Sequence, residues 1–575
     1  MKRIFVIIIT SFIFLMPICS WAGTYYVRMG ASGNWAGAVN RDTPCGFVTA
    51  NANAVAGDIV IYINDGGTFI NNPATQDDYI INPANSGTSG RPITFRGEAG
   101  TTVILDAKNM ATINLRGKSY IDIDNFTINN AQLSYMWVDL KNYNGGTSSA
   151  HITISNCIFN SVRNYWAGIY VDGNNSYITI QNCTFNGGIG AIGGHNDLVY
   201  FVAGAADRSI HHCLVENNTF YGGAHVALEF QTGGGSLENN VIRNNTIRNP
   251  NHISINIYGQ GGAGSDKNLI ENNTICDAGS ICSINSCTEN VWGSSSDKAT
   301  RRSNHPNFQL YGNNNIIRYN VMYNGGSGIV ADQYAYNNRI YNNVFYKNAM
   351  GLYLNSSYNI AGNVFANNIF KDNNLSCERA NYPVNVNSIP KSPCTNEWKY
   401  NNINDSNNIF YSDCVYSYGS RTLAYLEPNI PAIWHNNITS DPLFVNASAY
   451  DFHLQPPSAA IDAGAALTTL AAGDIGTGTS LLVNDARYFH DGKGIVQADW
   501  IAVGNTSNTV QISSINYSTN TITLMNSISR NVGDKVWLYK DSDGTVVLMG
   551  LAPDIGAYEY ESSISSPKNL KILLQ

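Results

Sequence analysis

Along most of the chain, short runs of β-branched and aromatic residues are interrupted by Asn-Asn or Asn-Cys and then resume. In order, the runs read ITISNCIF, ITIQNCTF, CLVENNTF, VIRNNTI, LIENNTI, IIRYNVM, RIYNNVF and NIAGNVF. Alternation over so few residues predicts strands rather than helices. Aligning the runs puts Cys157, Cys183, Asn218, Asn245, Asn273, Asn320, Asn343 and Asn363 in one column, most of them about 20 to 28 residues apart. That period is one coil of a parallel β-solenoid. The gaps before Asn218 and before Asn320 are longer and predict coils that carry an inserted loop. Stacked coils repeat every ~4.8 Å, so an Asn at the same inward turn of each coil can donate to one neighbour and accept from the other. Asn also tolerates the left-handed backbone of a tight bend. Cys157 and Cys183 sit in the same column as small buried fillers. A second pattern begins near residue 471 and runs to about 549. Thr509-Val510-Gln511-Ile512 and Thr521-Ile522-Thr523-Leu524 alternate around the turn-prone Tyr517-Ser518-Thr519-Asn520. This insert predicts a small antiparallel β module.

Composition agrees with an all-β chain. Gly numbers 52 and Tyr 34, against 17 Pro, and charged residues make up 13%. Such a mixture disfavours helix and suits short strands with tight turns. A hydrophobic content of 43% excludes global disorder. The net charge of −8 argues against a nucleic-acid partner. The one basic cluster in the body of the chain is Lys298, Arg301 and Arg302.

The first 22 residues read as a secretory signal. Lys2 and Arg3 precede an apolar run over 4–16, Pro17 breaks it, and Ser20-Trp21-Ala22 offers a cleavage site. The run is shorter than the roughly 20 residues of a membrane span. The expectation is a secreted protein with no membrane span in its mature form. An oxidising destination permits disulfides. Of 11 Cys, Cys377 and Cys394 are the best pair because they flank a Pro-containing insertion, while Cys276, Cys282 and Cys287 crowd one loop. None has zinc-site spacing.

The Asn-column coils resemble the right-handed parallel β-helix of the pectate lyase superfamily. The resemblance implies three strands per coil, with the ladder between the second and third. It makes Ile152-Thr153-Ile154 a second-sheet strand, Ile158-Phe159 the start of a third, and Gly168-Ile169-Tyr170-Val171 part of the first. Thr24-Tyr25-Tyr26-Val27, Gly57-Asp58-Ile59-Val60-Ile61-Tyr62 and Pro92-Ile93-Thr94-Phe95 resemble the N-terminal cap and first coils of bacterial exported β-helix proteins. Asp441-Pro442-Leu443-Phe444-Val445, Ala460-Ile461-Asp462-Ala463-Gly464 and Pro553-Asp554-Ile555-Gly556-Ala557-Tyr558-Glu559 resemble their terminal module. The predicted organisation is a cap and first coils over 23–125 and a central β-helix over 126–440 with long loops at 276–308 and 374–400. A terminal module over 441–560 carries the insert 471–549, and 561–575 form a tail.

A solenoid whose core is filled by stacked aliphatic residues must do its chemistry outside, and the resemblance places it on the first sheet. Period-two alternation turns Ile169, Leu228, Ile255, Ile329 and Leu352 inward. It sends Tyr170, Asp172, Glu229, Gln231, Asn256, Tyr258, Asp332, Tyr353 and Asn355 outward or to the strand end. Aromatic faces stack on sugar rings, and amides and carboxylates bond sugar hydroxyls. The predicted partner is therefore a polysaccharide. His225 and His252 share one repeat position and should stack at the sheet edge beside Glu229 and Asn256, where they would serve as general base or acid. His195 is a weaker candidate on the preceding coil. The 276–308 loop brings Lys298, Arg301, Arg302 and His305 towards the cleft. β-Elimination on a uronate needs a cation at the carboxylate and a base for the adjacent proton. Arg301 or Arg302 would supply the first, with Ca²⁺ as an alternative cation, although no dense Asp cluster marks a calcium site. Glu229 and Asp172 are candidate substrate or metal ligands. The Asp-Asp with Gly-His-Gly pattern of polygalacturonases is absent from the central coils, as is the Asp-Pro-His-Asp of alginate epimerases. The leading expectation is a secreted protein that binds, and by β-elimination cleaves, an acidic polysaccharide. The alternatives are a non-catalytic surface or adhesion β-helix and a glycoside hydrolase using Asp172, Glu229 or Asp332.

Overall fold

The computed structural model describes residues 22–561, apart from 71–78, 108–110, 130–135, 143–145, 161–166, 188–196, 224, 251, 261–263, 279–304, 349, 355–359, 374–395 and 406–421. His195, Cys282, Cys287, Lys298, Arg301, Arg302, Asn355, Cys377 and Cys394, with residues 1–21 and 562–575, lie outside the described residues.

The chain is an all-β, right-handed parallel β-helix with a small C-terminal β module. Three parallel sheets run its length. The first contains nine described strands, from Ala111–Asn114 through Ala167–Asp172, Asp197–Ala203, Val226–Gly233 and Ile253–Gln260 to Met350–Leu354. The second runs from Thr24–Val27 to Trp434–His435, and the third from Ile104–Leu105 to Asn402–Asn404. Coils stack in strict register. Ile152 pairs Ile178, Phe159 pairs Phe185, and Ile169 pairs Val199, which in turn pairs Leu228. Like residues therefore pile into columns: the rings of Phe159, Phe185 and Phe220 stack at 4.8 and 4.6 Å inside the core.

The Asn column is a hydrogen-bonded ladder. Asn218, Asn245, Asn273, Asn320 and Asn343 each donate through Nδ2 to the Oδ1 of the Asn one coil on, at 2.9–3.1 Å. The backbone N–H of each donates to the same oxygen. The Asn-Asn dipeptide divides its labour. Its first residue takes the left-handed turn, as at Asn217, Asn244, Asn272 and Asn342 with φ of 53–56°, and its second makes the ladder. Cys157 and Cys183 occupy the column as buried free thiols, and Cys276, with Cys45 and Cys213, is also free and buried.

One register assignment is corrected. Asn343 is followed in its ladder by Asn368, whereas Asn363 lies in a second ladder between Asn338 and Asn396. That ladder also holds Asn240, Asn268 and Asn315. It stands at a bend that splits the second-sheet strand of later coils in two, as in Ser236–Glu238 and Val241–Arg243. Both corners use the same local text, a left-handed residue, an Asn and a β-branched residue, five positions apart. An alignment by residue type slips from one corner to the other. A third, shorter ladder links Asn307, Asn348, Asn373 and Asp405.

The C-terminal parts cover two of the three outer faces. Strands Thr468–Thr469, Lys535–Lys540, Trp500–Val503, Thr509–Asn516, Thr521–Arg530 and Gly476–Leu482 form one antiparallel sheet in that spatial order. Its apolar side joins Leu269, Ile316 and Tyr341 of the second sheet in a common cluster. The hairpin of Phe444–Asn446 and Asp451–Leu454 packs with Val321, Val344 and Ile369 of the third. Among the described residues no helix is long and apolar enough to cross a membrane.

Candidate functional site

On the outer side of the first sheet, register aligns Asp139, Tyr170, Tyr200, Glu229, Asn256, Gln309, Val330 and Tyr353 in one row. A second row runs Lys141, Asp172, Val202, Gln231, Tyr258 towards the strand ends. These side chains point outward, yet Tyr170, Asp172, Glu229, Asn256 and Asp332 are buried, which corrects the expectation of an exposed row. The cause is the coil spacing. At ~4.8 Å, large side chains on successive strands lie against one another. The rings of Tyr170 and Tyr200 stack at 5.3 Å, the Lys141 ammonium sits 5.4 Å from the Tyr170 centroid, and Tyr200 Oη donates to Gln231 Oε1.

The densest group of titratable side chains stands where the strands begin. His225 Nδ1 lies 2.8 Å from Asp197 Oδ1, which also accepts the Val226 N–H at 3.0 Å. A carboxylate acceptor places the proton on Nδ1, so the basic lone pair of His225 belongs to Nε2. The next coil stacks His252 on His225 at 5.2 Å and 16°, and His305 meets His252 edge-on at 4.7 Å. Burial, with His305 and His225 alongside, holds His252 well below the ordinary imidazole range. Glu229 accepts from Asn256 Nδ2 at 3.0 Å. Burial first, and the neighbouring Asp197 second, raise the Glu229 carboxyl well above the ordinary range. Asp197, His225 and Glu229 are also the one described trio of His, Cys, Asp and Glu side chains whose ligand atoms converge.

The other predicted residues fall into separate groups. Asp172 accepts from Arg208 Nη1 at 2.8 Å, and burial raises its carboxyl. Tyr258 meets Tyr311 at 4.7 Å, and Tyr311 Oη donates to Asp332 Oδ2 at 2.8 Å. Tyr353 lies far along the row, its phenol raised by burial. The structure thus brings His225, His252, Glu229 and Asn256 together and leaves Asp172, Tyr258, Asp332 and Tyr353 elsewhere on the face.

Four residues at the site escape the sequence reading. Asp197 and Tyr200 lie on Asp197–Ala203, and Asp139 and Lys141 on Met136–Lys141. Asp139 is fully buried against Arg116, with the Lys141 Nζ at 3.8 Å. The available signal is the alternation in Met136-Trp137-Val138-Asp139-Leu140-Lys141 and in Leu198-Val199-Tyr200-Phe201-Val202, which marks both as first-sheet strands.

No family model matches the chain, and no curated protein does. Among solved structures it is similar to the pectate lyase Pel9A, with 14% identity and a TM-score of 0.42 over 94% of this chain and 98% of that one. It is similar to an alginate lyase from Paenibacillus sp. strain FPU-7 at 14% identity and a TM-score of 0.35, over 55% of this chain and 94% of that one. It is also similar to the A-module of a mannuronan C-5 epimerase from Azotobacter vinelandii at 12% identity and a TM-score of 0.40, over 73% of this chain and 91% of that one.

Proposed function

We propose that this protein is exported and acts on an acidic polysaccharide laid along the outer face of the first sheet, cleaving it by β-elimination. One observation carries the reading: a His oriented by a buried Asp, His225 on Asp197, stands beside a second His and a buried carboxyl at the edge of a row of stacked tyrosines. β-Elimination removes the proton next to a uronate carboxylate and expels the glycosidic oxygen. Asp197 fixes the His225 tautomer that accepts such a proton, and His252, which burial holds neutral, lies against it. Among the described residues Lys141 and Arg208 bring positive charge to this face, beside Asp139 and Asp172; Arg301 and Arg302, outside the described residues, remain the candidates of the sequence for the uronate carboxylate. The paired carboxyls of Asp197 and Glu229 favour a second reading, a glycoside hydrolase in which Glu229 donates a proton to the leaving oxygen.

The test is incubation of the purified mature chain with pectate, alginate and glycosaminoglycans. Ultraviolet absorbance of an unsaturated product is the expected result. New reducing ends without absorbance support the hydrolase instead, and neither signal with any polymer refutes both.

A further inference from the structure

We infer that Asp197, His225 and Glu229 hold a divalent transition-metal ion. Each offers one ligand atom, and the three atoms lie within 4.8 Å of one another. The independent observation concerns the oxygens that the fold leaves over. Asp197 Oδ1 accepts the Val226 N–H and faces His225, while no N–H donor of the described residues reaches Asp197 Oδ2. Glu229 Oε1 accepts from Asn256, while no N–H donor of the described residues reaches Glu229 Oε2, and the carboxyl hydrogen-bonds to that of Asp197. The residues are 0% and 3% exposed. Two adjacent buried carboxyls are held as a ligand pair would be, one oxygen of each oriented by a protein N–H and the other without one. Without an ion the two carboxyls share a proton, and a divalent cation bound between them would take that proton's place.

The donor set selects the ion. Calcium takes six to eight oxygens, and magnesium keeps most of its water. One imidazole nitrogen and two carboxylate oxygens suit a borderline ion such as Zn²⁺, Mn²⁺ or Co²⁺. Three protein ligands leave coordination positions open for a carboxylate oxygen of the substrate. That use of the ion rests on the acidic-polysaccharide reading above, whereas its binding does not. The ion and a transferable proton compete for the His225 imidazole, so in the metal-loaded chain the proton-accepting role given to His225 above passes to His252, and in the metal-free chain it stays with His225.

The experiment strips the mature chain with a chelator, dialyses it against Co²⁺, Zn²⁺ or Ca²⁺, and measures bound metal together with the visible absorption of Co²⁺. About one Co²⁺ or Zn²⁺ per chain is expected, with Ca²⁺ unable to displace it. Asp197→Asn and Glu229→Gln should weaken Co²⁺ binding at least about 100-fold, while Glu238→Gln on the second sheet leaves it unchanged. Less than about 0.1 Co²⁺ per unaltered chain overturns the site whatever the variants do, as does equal binding by folded Asp197→Asn and Glu229→Gln. Metal that binds without any polymer being cleaved sinks the lyase reading and leaves the site standing. Cleavage that survives chelation in a chain that binds no metal does the reverse.

Discussion

Arg318 joins the C-terminal β module to the solenoid, and replacing it by Met should release the module. The guanidinium is fully buried. Its Nε donates to Glu271 Oε2 at 2.7 Å, Nη1 donates to Tyr341 Oη at 3.0 Å, and Nη1 and Nη2 together grip both oxygens of Asp499 at 2.8 and 2.7 Å. Glu271 and Tyr341 belong to the coils on either side of Arg318, whereas Asp499 precedes the module strand Trp500–Val503. Glu271 also accepts from Ser542 Oγ, beyond the last module strand. In the Met variant two buried carboxylates lose their shared cation. Breaking one buried pair costs about 3–5 kcal/mol. A loss of about 4 kcal/mol raises the undocked population about 10³-fold. Hydrogen exchange of the Trp500–Val503 and Lys535–Lys540 amides, followed by mass spectrometry, reads that population directly. The triple variant Glu271→Gln, Arg318→Met, Asp499→Asn removes the stranded charges and should recover most of the protection. Acceleration below about tenfold in the single variant, or no recovery in the triple, refutes the reasoning.

Three further outcomes are expected. Asn273→Ala strands the Asn245 N–H and Nδ2 and the Ile242 carbonyl and should cost about 3 kcal/mol, seen as faster proteolysis of the coils. Asp405 caps the third ladder, and burial pushes its carboxyl up to about 7. The unfolded chain releases this proton first as pH rises, so stability falls between about pH 4 and pH 7 and is level above. Asp405→Asn should therefore stabilise by up to about 4 kcal/mol at pH 8 and by little at pH 4, and a melting-temperature gain independent of pH would contradict the assignment. His225→Ala should lower kcat on the responsive polymer by about 10²–10⁴-fold, and retention of full turnover removes His225 from the chemistry.

Much of the fold was legible because one dipeptide carries two physical signals, a left-handed turn and a ladder amide. Where the two corners of a coil use the same text, residue type alone could not separate Asn363 from Asn368. The inward positions Ile169, Leu228 and Ile255 followed from alternation. The burial of Asp172 and Glu229 did not, because alternation reports direction and the neighbouring coil decides exposure. Asp197 opens a strand after a Gly-rich stretch with no Asn pair to mark it, and nothing local ties it to His225. Glu229 was legible as an outward carboxyl, but its pairing with Asp197 depends on stacking. The Arg318–Asp499 contact spans 181 positions and joins two different patterns, and nothing local announces it.

The amide ladder also bears on how such a molecule can change its size. Every rung between Asn245 and Asn343 receives from the rung before and gives to the one after, so each winding is interchangeable with the next at that corner. Deleting or duplicating one whole winding leaves every amide matched, while a gain or loss of part of one leaves a rung open. Lineages of this chain can thus be lengthened in whole steps, each extending the outer face by one more strand, in the manner of a ruler with fixed graduations.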